Sequence, residues 1–226
     1  MTLRERIDQV ETRIQNAAAR AGRSRESITL IAVTKKFSAE VVREAYDLGM
    51  RVFGENYVQE FSTKQPELAD LSEAHFHLIG HLQSNKSRMA TQLFQTIQTV
   101  DSVRLAQRLQ EACVEGNSTL NVMIEVKLSV EEAKFGATPE QLAELKDAIQ
   151  ACPNLKLDGL MTMPPWSDNP EETRPYFRKL ATLADQFGLM QLSMGMSHDL
   201  EAAIEEGATH VRIGTALFGP RPKPLA

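Results

Sequence analysis

The chain has 226 residues, a length that one barrel domain accommodates, and we expect a single domain over residues 1–226. A formal net charge of −5 and scattered basic residues exclude the basic surfaces of nucleic-acid-binding proteins and the polybasic segments of membrane-surface proteins. Two cysteines do not make a disulfide framework, and no apolar run has the length of a leader or a membrane span. We therefore expect a cytoplasmic protein.

The N-terminal segment predicts an amphipathic helix ahead of the first strand. Its apolar residues recur every three or four positions until Gly22 ends the pattern: Leu3, Ile7, Val10, Ile14 and Ala18. Ile28–Val33 follows, and this apolar, β-branched run is typical of a parallel strand buried on both faces. Ser38 is predicted to cap the next helix, which ends at Gly49.

Short apolar runs and helical patterns then alternate to the end of the chain. Seven further strands are predicted at Arg51–Phe53, Phe76–Ile79, Thr96–Val100, Asn121–Lys127, Leu157–Met161, Gln191–Met194 and His210–Ile213. Helix starts are marked by Asp101 or Ser102, by Thr138 and by Asn169. Eight strands, each but the last followed by a helix, favour an α/β fold: a (β/α)₈ TIM barrel with an additional N-terminal helix. The alternative is an open doubly wound sheet, but no G-x-G-x-x-G follows any strand.

Two adjacent lysines leave the first strand at the end where such barrels place their active face. Side chains alternate along a strand, so we expect one of Lys35 and Lys36 in the barrel mouth and the other toward the helices. Apolar surroundings favour the neutral amine of a lysine, which is a nucleophile toward aldehydes. The alternative is a pair of exposed loop lysines.

The seventh and eighth strands both end in a glycine with a nearby hydroxyl residue. Barrels commonly bind phosphate in these two loops, so Ser197, Gly214 and Thr215 are candidate phosphate ligands. The alternative is that Ser197 only caps a helix and Gly214 only makes a turn. Arg212, inside the eighth strand, requires a polar ligand or a carboxylate; its alternative is an ion pair on the outer rim.

Three histidines near the third strand suggest a metal site: His75, His77 and His81. Zinc needs three or four convergent ligands with supporting hydrogen bonds, and no cysteine or carboxylate stands at ligand spacing nearby. We therefore expect packing and loop roles for these histidines, and no metal.

Four stretches together carry a family resemblance: Ala32–Lys35, Phe53–Glu60, Phe76–Lys86, and Gly195–Ser197 with Val211–Thr215. With them the sequence resembles the pyridoxal-phosphate homeostasis proteins of the YggS, or proline synthase co-transcribed, type. Their barrel is similar to the N-terminal domain of bacterial alanine racemase. The resemblance runs almost end to end.

The resemblance implies that pyridoxal 5′-phosphate (PLP) is held as a Schiff base on Lys35. It implies that Arg212 hydrogen-bonds the pyridine nitrogen, and that Ser197, Gly214 and Thr215 hold the phosphate. Three further residues are implied in or near the pocket: Asn56, His81 and Met196.

An arginine at the pyridine nitrogen disfavours ring protonation and weakens the ring as an electron sink. Racemases of the similar fold also carry a second, β-rich domain with a tyrosine base, and this chain ends seven residues after Gly219. We therefore expect a non-catalytic, monomeric PLP carrier that buffers the cofactor or delivers it to PLP-dependent apo-enzymes. The alternatives are a PLP-dependent amino-acid racemase or other PLP enzyme, and a phosphosugar enzyme that uses Lys35 for a substrate Schiff base.

Overall fold

Eight parallel strands close into a barrel in chain order, in a computed structural model that describes residues 1–129 and 135–220. The strands are β1 (Thr29–Val33), β2 (Val52–Glu55), β3 (His75–Leu78), β4 (Thr96–Val100), β5 (Leu120–Glu125), β6 (Leu155–Met161), β7 (Gln191–Ser193) and β8 (His210–Ile213). Pairing of β1 with β8 closes the barrel, with Ile31 in register with Arg212. The predicted TIM barrel is confirmed.

Helices surround this barrel on the outside. They are α1 (Leu3–Arg20), α2 (Ala39–Asp47), α3 (Val58–Lys64), α4 (Ser87–Leu93), α5 (Val103–Glu115), α6 (Leu142–Gln150), α7 (Arg174–Phe187), α8 (Leu200–Glu205) and α9 (Thr215–Phe218). The predicted N-terminal helix is α1, which begins with a capping box formed by Thr2 and Glu5. An ion pair of 2.6 Å between Arg13 and Glu201 ties α1 to α8.

The two faces of the strands have different neighbours. Leu30 and Ala32 of β1 belong to the large apolar layer between barrel and helices. Ile31 and Val33 are also buried but lie outside that layer, on the alternate face, which is the barrel interior. Because the interior face of β1 leads to the barrel mouth, the residue two positions after Val33 leaves the strand on the mouth side.

Two details differ from the prediction. Ser38 is the N-cap residue of α2, as predicted, but its side chain makes no capping hydrogen bond. The nearby Ser38 hydroxyl instead lowers the Glu40 pKa. The last strand was predicted to have no helix after it, whereas α9 begins directly after Gly214. This helix is only four residues long, too short to leave a periodic pattern.

Among the described residues, no helix combines the length and apolar character needed to cross a bilayer. Cys113 and Cys152 are both buried and free.

Candidate functional site

A cavity of about 520 Å³ opens at the carboxyl ends of the strands. It is lined by Val33, Lys35, Asn56, Ile79, Met163, Trp166, Met196, Ser197, His198, Arg212, Gly214, Thr215 and Ala216. Seven of the eight residues proposed from the sequence are therefore brought together here. The exception is His81, which lines a neighbouring cavity of about 440 Å³ that shares Asn56 and Met163 with the first.

The two lysines after β1 diverge. Lys35 is partly buried and lines the cavity. Lys36 is exposed and has a φ of 65°, a left-handed conformation that is uncommon for a lysine. Its backbone N–H donates to a carboxylate oxygen of Glu60 at 2.6 Å. The left-handed turn at Lys36 lets the chain leave the barrel immediately after Lys35.

Arg212 lies inside the barrel with 4% of its surface exposed. Its guanidinium donates to Ser193 Oγ at 2.7 Å and to the main-chain oxygen of Thr162 at 2.9 Å. Burial lowers its pKa to about 10, and the nearby carboxylates of Glu125 and Asp199 oppose this shift. The side chain thus remains a cation at neutral pH, and the suggested ion pair on the outer rim does not form.

The support of Arg212 continues across the barrel interior. Ser193 Oγ donates to Gln98 Oε1 at 2.7 Å, and Gln98 Nε2 lies 2.9 Å from His77 Nδ1. Burial lowers the His77 pKa to about 3, with smaller effects from His210 and from His75. His77 is therefore neutral, and its Nδ1 accepts a hydrogen bond from the Gln98 amide N–H, which leaves the amide oxygen to accept from Ser193. The chain of bonds fixes the orientation of the guanidinium.

The loops after β7 and β8 are joined to each other. The backbone N–H of Ala216 donates to Ser197 Oγ at 3.2 Å, so Ser197 connects its own loop to the start of α9. Asp199, not Ser197, is the residue that precedes α8. Gly195 has a φ of 91°, and a Cβ there would lie 2.5 Å from the Cβ of Ala203. Only glycine fits this turn, which brings the following residues to the cavity.

One wall of the cavity was missed from the sequence. Trp166, which is 68% exposed, packs against the His198 ring with 4.0 Å between ring centroids. Met163 lies beside them on the loop after β6. The available signal was the position of Trp166, the chain's one tryptophan, after a strand end. Ser193 and Gln98 carried no such signal, because Gln98 is connected to Arg212 through Ser193, from which it is 95 residues distant.

The histidines near β3 are dispersed. His75 is exposed, His77 points to Gln98, and the ring of His81 stacks on Phe135 with 3.6 Å between centroids. In residues 1–129 and 135–220, no group of three or more His, Cys, Asp or Glu side chains is arranged to hold a metal ion.

Glu125 at the end of β5 is a further buried ionisable group of the barrel interior. It is 4% exposed, and its Oε2 has no hydrogen-bond partner within the described part of the chain. Burial raises its pKa to about 7; the nearby Asp101 adds to the shift and Arg212 opposes it. The charge of this carboxyl group therefore changes near neutral pH.

Comparison with known proteins agrees with this fold. Residues 6–222 match the family model for the alanine racemase N-terminal domain. The alanine racemase of Clostridium difficile 630 has a TM-score of 0.75 at 15% identity, covering 98% of this chain and 57% of its own, which shows a shared fold. The chain is thus a barrel of the alanine racemase N-terminal domain class.

Relatives that match over their full length identify the family more narrowly. The pyridoxal phosphate homeostasis protein of Aquifex aeolicus is 47% identical over 223 residues, covering 96% of this chain and 97% of its own. That of Pseudomonas aeruginosa is 48% identical over 222 residues, with coverages of 97% and 96%. PipY of Synechococcus elongatus, solved with PLP bound, is 37% identical with a TM-score of 0.83, covering 96% of this chain and 100% of its own. The chain belongs to the pyridoxal phosphate homeostasis protein family, and the resemblance found in the sequence is confirmed.

The Glu125 pKa makes stability depend on pH. Its folded-state pKa of about 7 lies above the ordinary value of 4.5, so the native state binds this proton more tightly than the unfolded state does. The resulting stabilisation is complete below pH 4.5 and is lost as pH rises through 7. From pH 5 to pH 8, the wild type should lose up to about 3 kcal/mol of unfolding free energy that Glu125→Gln does not lose. Urea unfolding at both pH values measures this.

Glu26→Gln, which changes an exposed carboxyl group, is the control and should follow the wild type at both pH values. An equal stability difference between Glu125→Gln and wild type at pH 5 and pH 8 would contradict the assignment.

Proposed function

We propose that this chain binds PLP in the 520 Å³ cavity as a protein of intracellular PLP homeostasis, with a Schiff base on Lys35. The observation that carries the proposal is that one cavity is lined by an amine, a buried guanidinium and the two loops after β7 and β8. An aldehyde, a pyridine nitrogen and a phosphate require these three kinds of group. Relatives over the full length are named for PLP homeostasis, and PipY has been solved with PLP bound.

Two further features support the fit. Asn56 Oδ1 is buried and has no hydrogen-bond partner in the described ranges, although Asn56 lines the cavity; a ligand hydroxyl or N–H would satisfy it. A Cβ on Gly214 would meet only ordinary contacts, the nearest being Val33 at 3.5 Å. Its backbone is not left-handed either. The protein's own packing therefore does not require glycine at this position, whereas a ligand close to the backbone does.

PLP, when bound, supplies an aldehyde and an electron-withdrawing ring. Arg212 donates hydrogen bonds and has no acceptor, so it would hold the pyridine nitrogen in its unprotonated form. Ser193 and Thr162 prevent the guanidinium from turning away. Lys35 provides the amine, and Ser197 with Thr215 provides hydroxyl donors at the phosphate end. This arrangement holds the cofactor while limiting its use as an electron sink.

We propose that the protein is a monomeric carrier and not an enzyme, working in the cytoplasm and passing PLP to apo forms of PLP-dependent enzymes. The relatives' names support a homeostatic role. In the described ranges no tyrosine lines the cavity; Tyr57, the nearest candidate, is 51% exposed and lines the neighbouring cavity. A racemase needs an acid and a base on opposite faces of the substrate. The alternative racemase function would have to pair Lys35 with His198, which also lines the cavity.

Substitution of Lys35 tests the role of its amine. Lys35→Ala should abolish the aldimine absorption band of PLP-loaded protein and lower PLP affinity about tenfold or more, while the thermal midpoint changes little, because Lys35 is outside the apolar core. Absorption spectra and equilibrium dialysis provide the measurement. Lys36→Ala is the matched control, since its side chain is exposed, and it should retain the band. A band that persists in Lys35→Ala would reject the assignment.

Gly214→Ala separates binding from folding. The added methyl group has room within the protein, so the free energy of unfolding should stay within about 0.5 kcal/mol of the wild-type value. PLP affinity should fall about tenfold, because the methyl group hinders approach of the phosphate to the backbone. Equal affinities of Gly214→Ala and wild type would show that the phosphate lies elsewhere.

Amino-acid racemisation tests the alternative function. Purified, PLP-loaded protein should not convert L-alanine to D-alanine above the rate of free PLP, as followed by chiral chromatography. Sustained turnover at a typical enzyme rate of about 1 per second or faster would reject the carrier role; loss of that turnover in His198→Ala would then identify the second base.

A further inference from the structure

A buried ionic cluster lies beneath the loop that carries Lys35 and outside the cavity lining. Lys64, the last residue of α3, is 7% exposed. Its ammonium lies 2.7 Å from Glu55 Oε1 and 2.9 Å from Glu60 Oε1. The same nitrogen lies 3.2 Å from the main-chain oxygen of Thr34 and 3.1 Å from that of Phe37. One buried cation thus holds backbone oxygens on both sides of the Lys35–Lys36 dipeptide.

The two carboxylates hold the same loop at other atoms. Thr34 Oγ1 donates to Glu55 Oε1 at 2.8 Å, immediately before Lys35. The backbone N–H of Lys36 donates to Glu60 Oε1 at 2.6 Å, immediately after it. Lys36 is the residue in the left-handed conformation, which a non-glycine residue keeps only where its surroundings impose it. Contacts of Lys64 and the two glutamates impose it here.

Stability alone is a weak reason for this cluster. Taking an ammonium and a carboxylate out of water costs free energy that the ion pair does not always recover, and apolar side chains of similar volume are often as stabilising. Burial indeed raises the Glu55 pKa despite the contact with Lys64. An apolar side chain cannot donate hydrogen bonds to two carbonyl oxygens or orient two carboxylates. The ionic cluster does both, and it therefore fixes the direction of the chain.

We propose that Lys64 is a positioning residue for Lys35: by holding the carbonyl groups of Thr34 and Phe37, it directs the Lys35 amine into the cofactor cavity. The proposal rests on the proposed role of Lys35 and adds how the chain aims that amine. Lys64 does not line the cavity, so it acts on the Schiff-base step only through the loop. It should therefore affect bond formation by Lys35 and leave the rest of the cavity intact.

Lys64→Met tests this, since methionine fills similar space without charge. PLP-free protein is mixed with PLP, reduced with borohydride at timed intervals, and analysed for added mass on the peptide that contains residue 35. We expect labelling about tenfold slower than in wild type, because small misplacements of a reacting group cost that much or more. Arg43→Met, which removes an arginine from an exposed pair with Asp70, is the control and should label at the wild-type rate.

A second ligand distinguishes misplacement of the Lys35 amine from general damage to the cavity. Pyridoxine 5′-phosphate has the ring and phosphate of PLP but no aldehyde, and its binding can be followed by the fluorescence of Trp166 in the cavity wall. Its affinity for Lys64→Met should stay within about twofold of wild type. Labelling of residue 35 at the wild-type rate, or equal losses of labelling rate and pyridoxine 5′-phosphate affinity, would overturn the proposal.

Glu60→Ala provides a milder variant in case Lys64→Met does not fold. Glu60 is only partly buried. Its loss frees the Lys36 N–H and removes one of the two carboxylates that hold the Lys64 ammonium against the carbonyl oxygens of Thr34 and Phe37. We expect labelling about threefold slower, and an unchanged rate would overturn the proposal. Failure of the proposed function is distinguishable, because wild-type protein would then carry no added mass at residue 35.

Discussion

The pairing of β1 with β8 is the constraint on which the site depends. It closes the barrel and places Ile31 beside Arg212, so that the first and last strands of the chain end next to each other. Lys35 leaves β1 at the edge where Gly214 and Thr215 leave β8, and all three line one cavity. Without closure, the amine and the proposed phosphate-binding loop would be at opposite edges of an open sheet.

The barrel interior also keeps its charges in fixed places. Arg212 makes no contact with a carboxylate inside the described ranges that is short enough for an ion pair, and is instead held by a hydroxyl and a carbonyl oxygen. Such neutral acceptors orient a guanidinium without neutralising it, so its charge remains available to a ligand. Glu125 lowers the cost of this buried cation only when ionised, which links the electrostatics of the site to pH near neutrality.

Much of the fold was predictable because local patterns and the barrel agree. All eight observed strands overlap the short apolar runs that predicted them, and the alternation of side chains along β1 predicted that one of the two lysines faces the mouth. The two glycine-containing strand ends were predicted to share a site, and they do lie together. The placement of His81 was not predictable. Gly80 packs against the backbone of Asn56, where a Cβ would lie 2.2 Å from the Asn56 oxygen, and the chain then turns His81 toward Phe135.

The residues that support the site were missed because their contacts join parts of the chain that are far apart in sequence. Lys64 contacts a carbonyl oxygen 30 residues away, and Ser193 reaches Gln98 across 95 residues, so neither leaves a motif.

The proposed function depends on a covalent link between PLP and Lys35. Its most direct test is borohydride reduction of PLP-loaded protein followed by peptide mass analysis. One phosphopyridoxyl group on Lys35, and none on Lys36, is the predicted result. Label absent from Lys35, or found mainly on another lysine, would contradict the account.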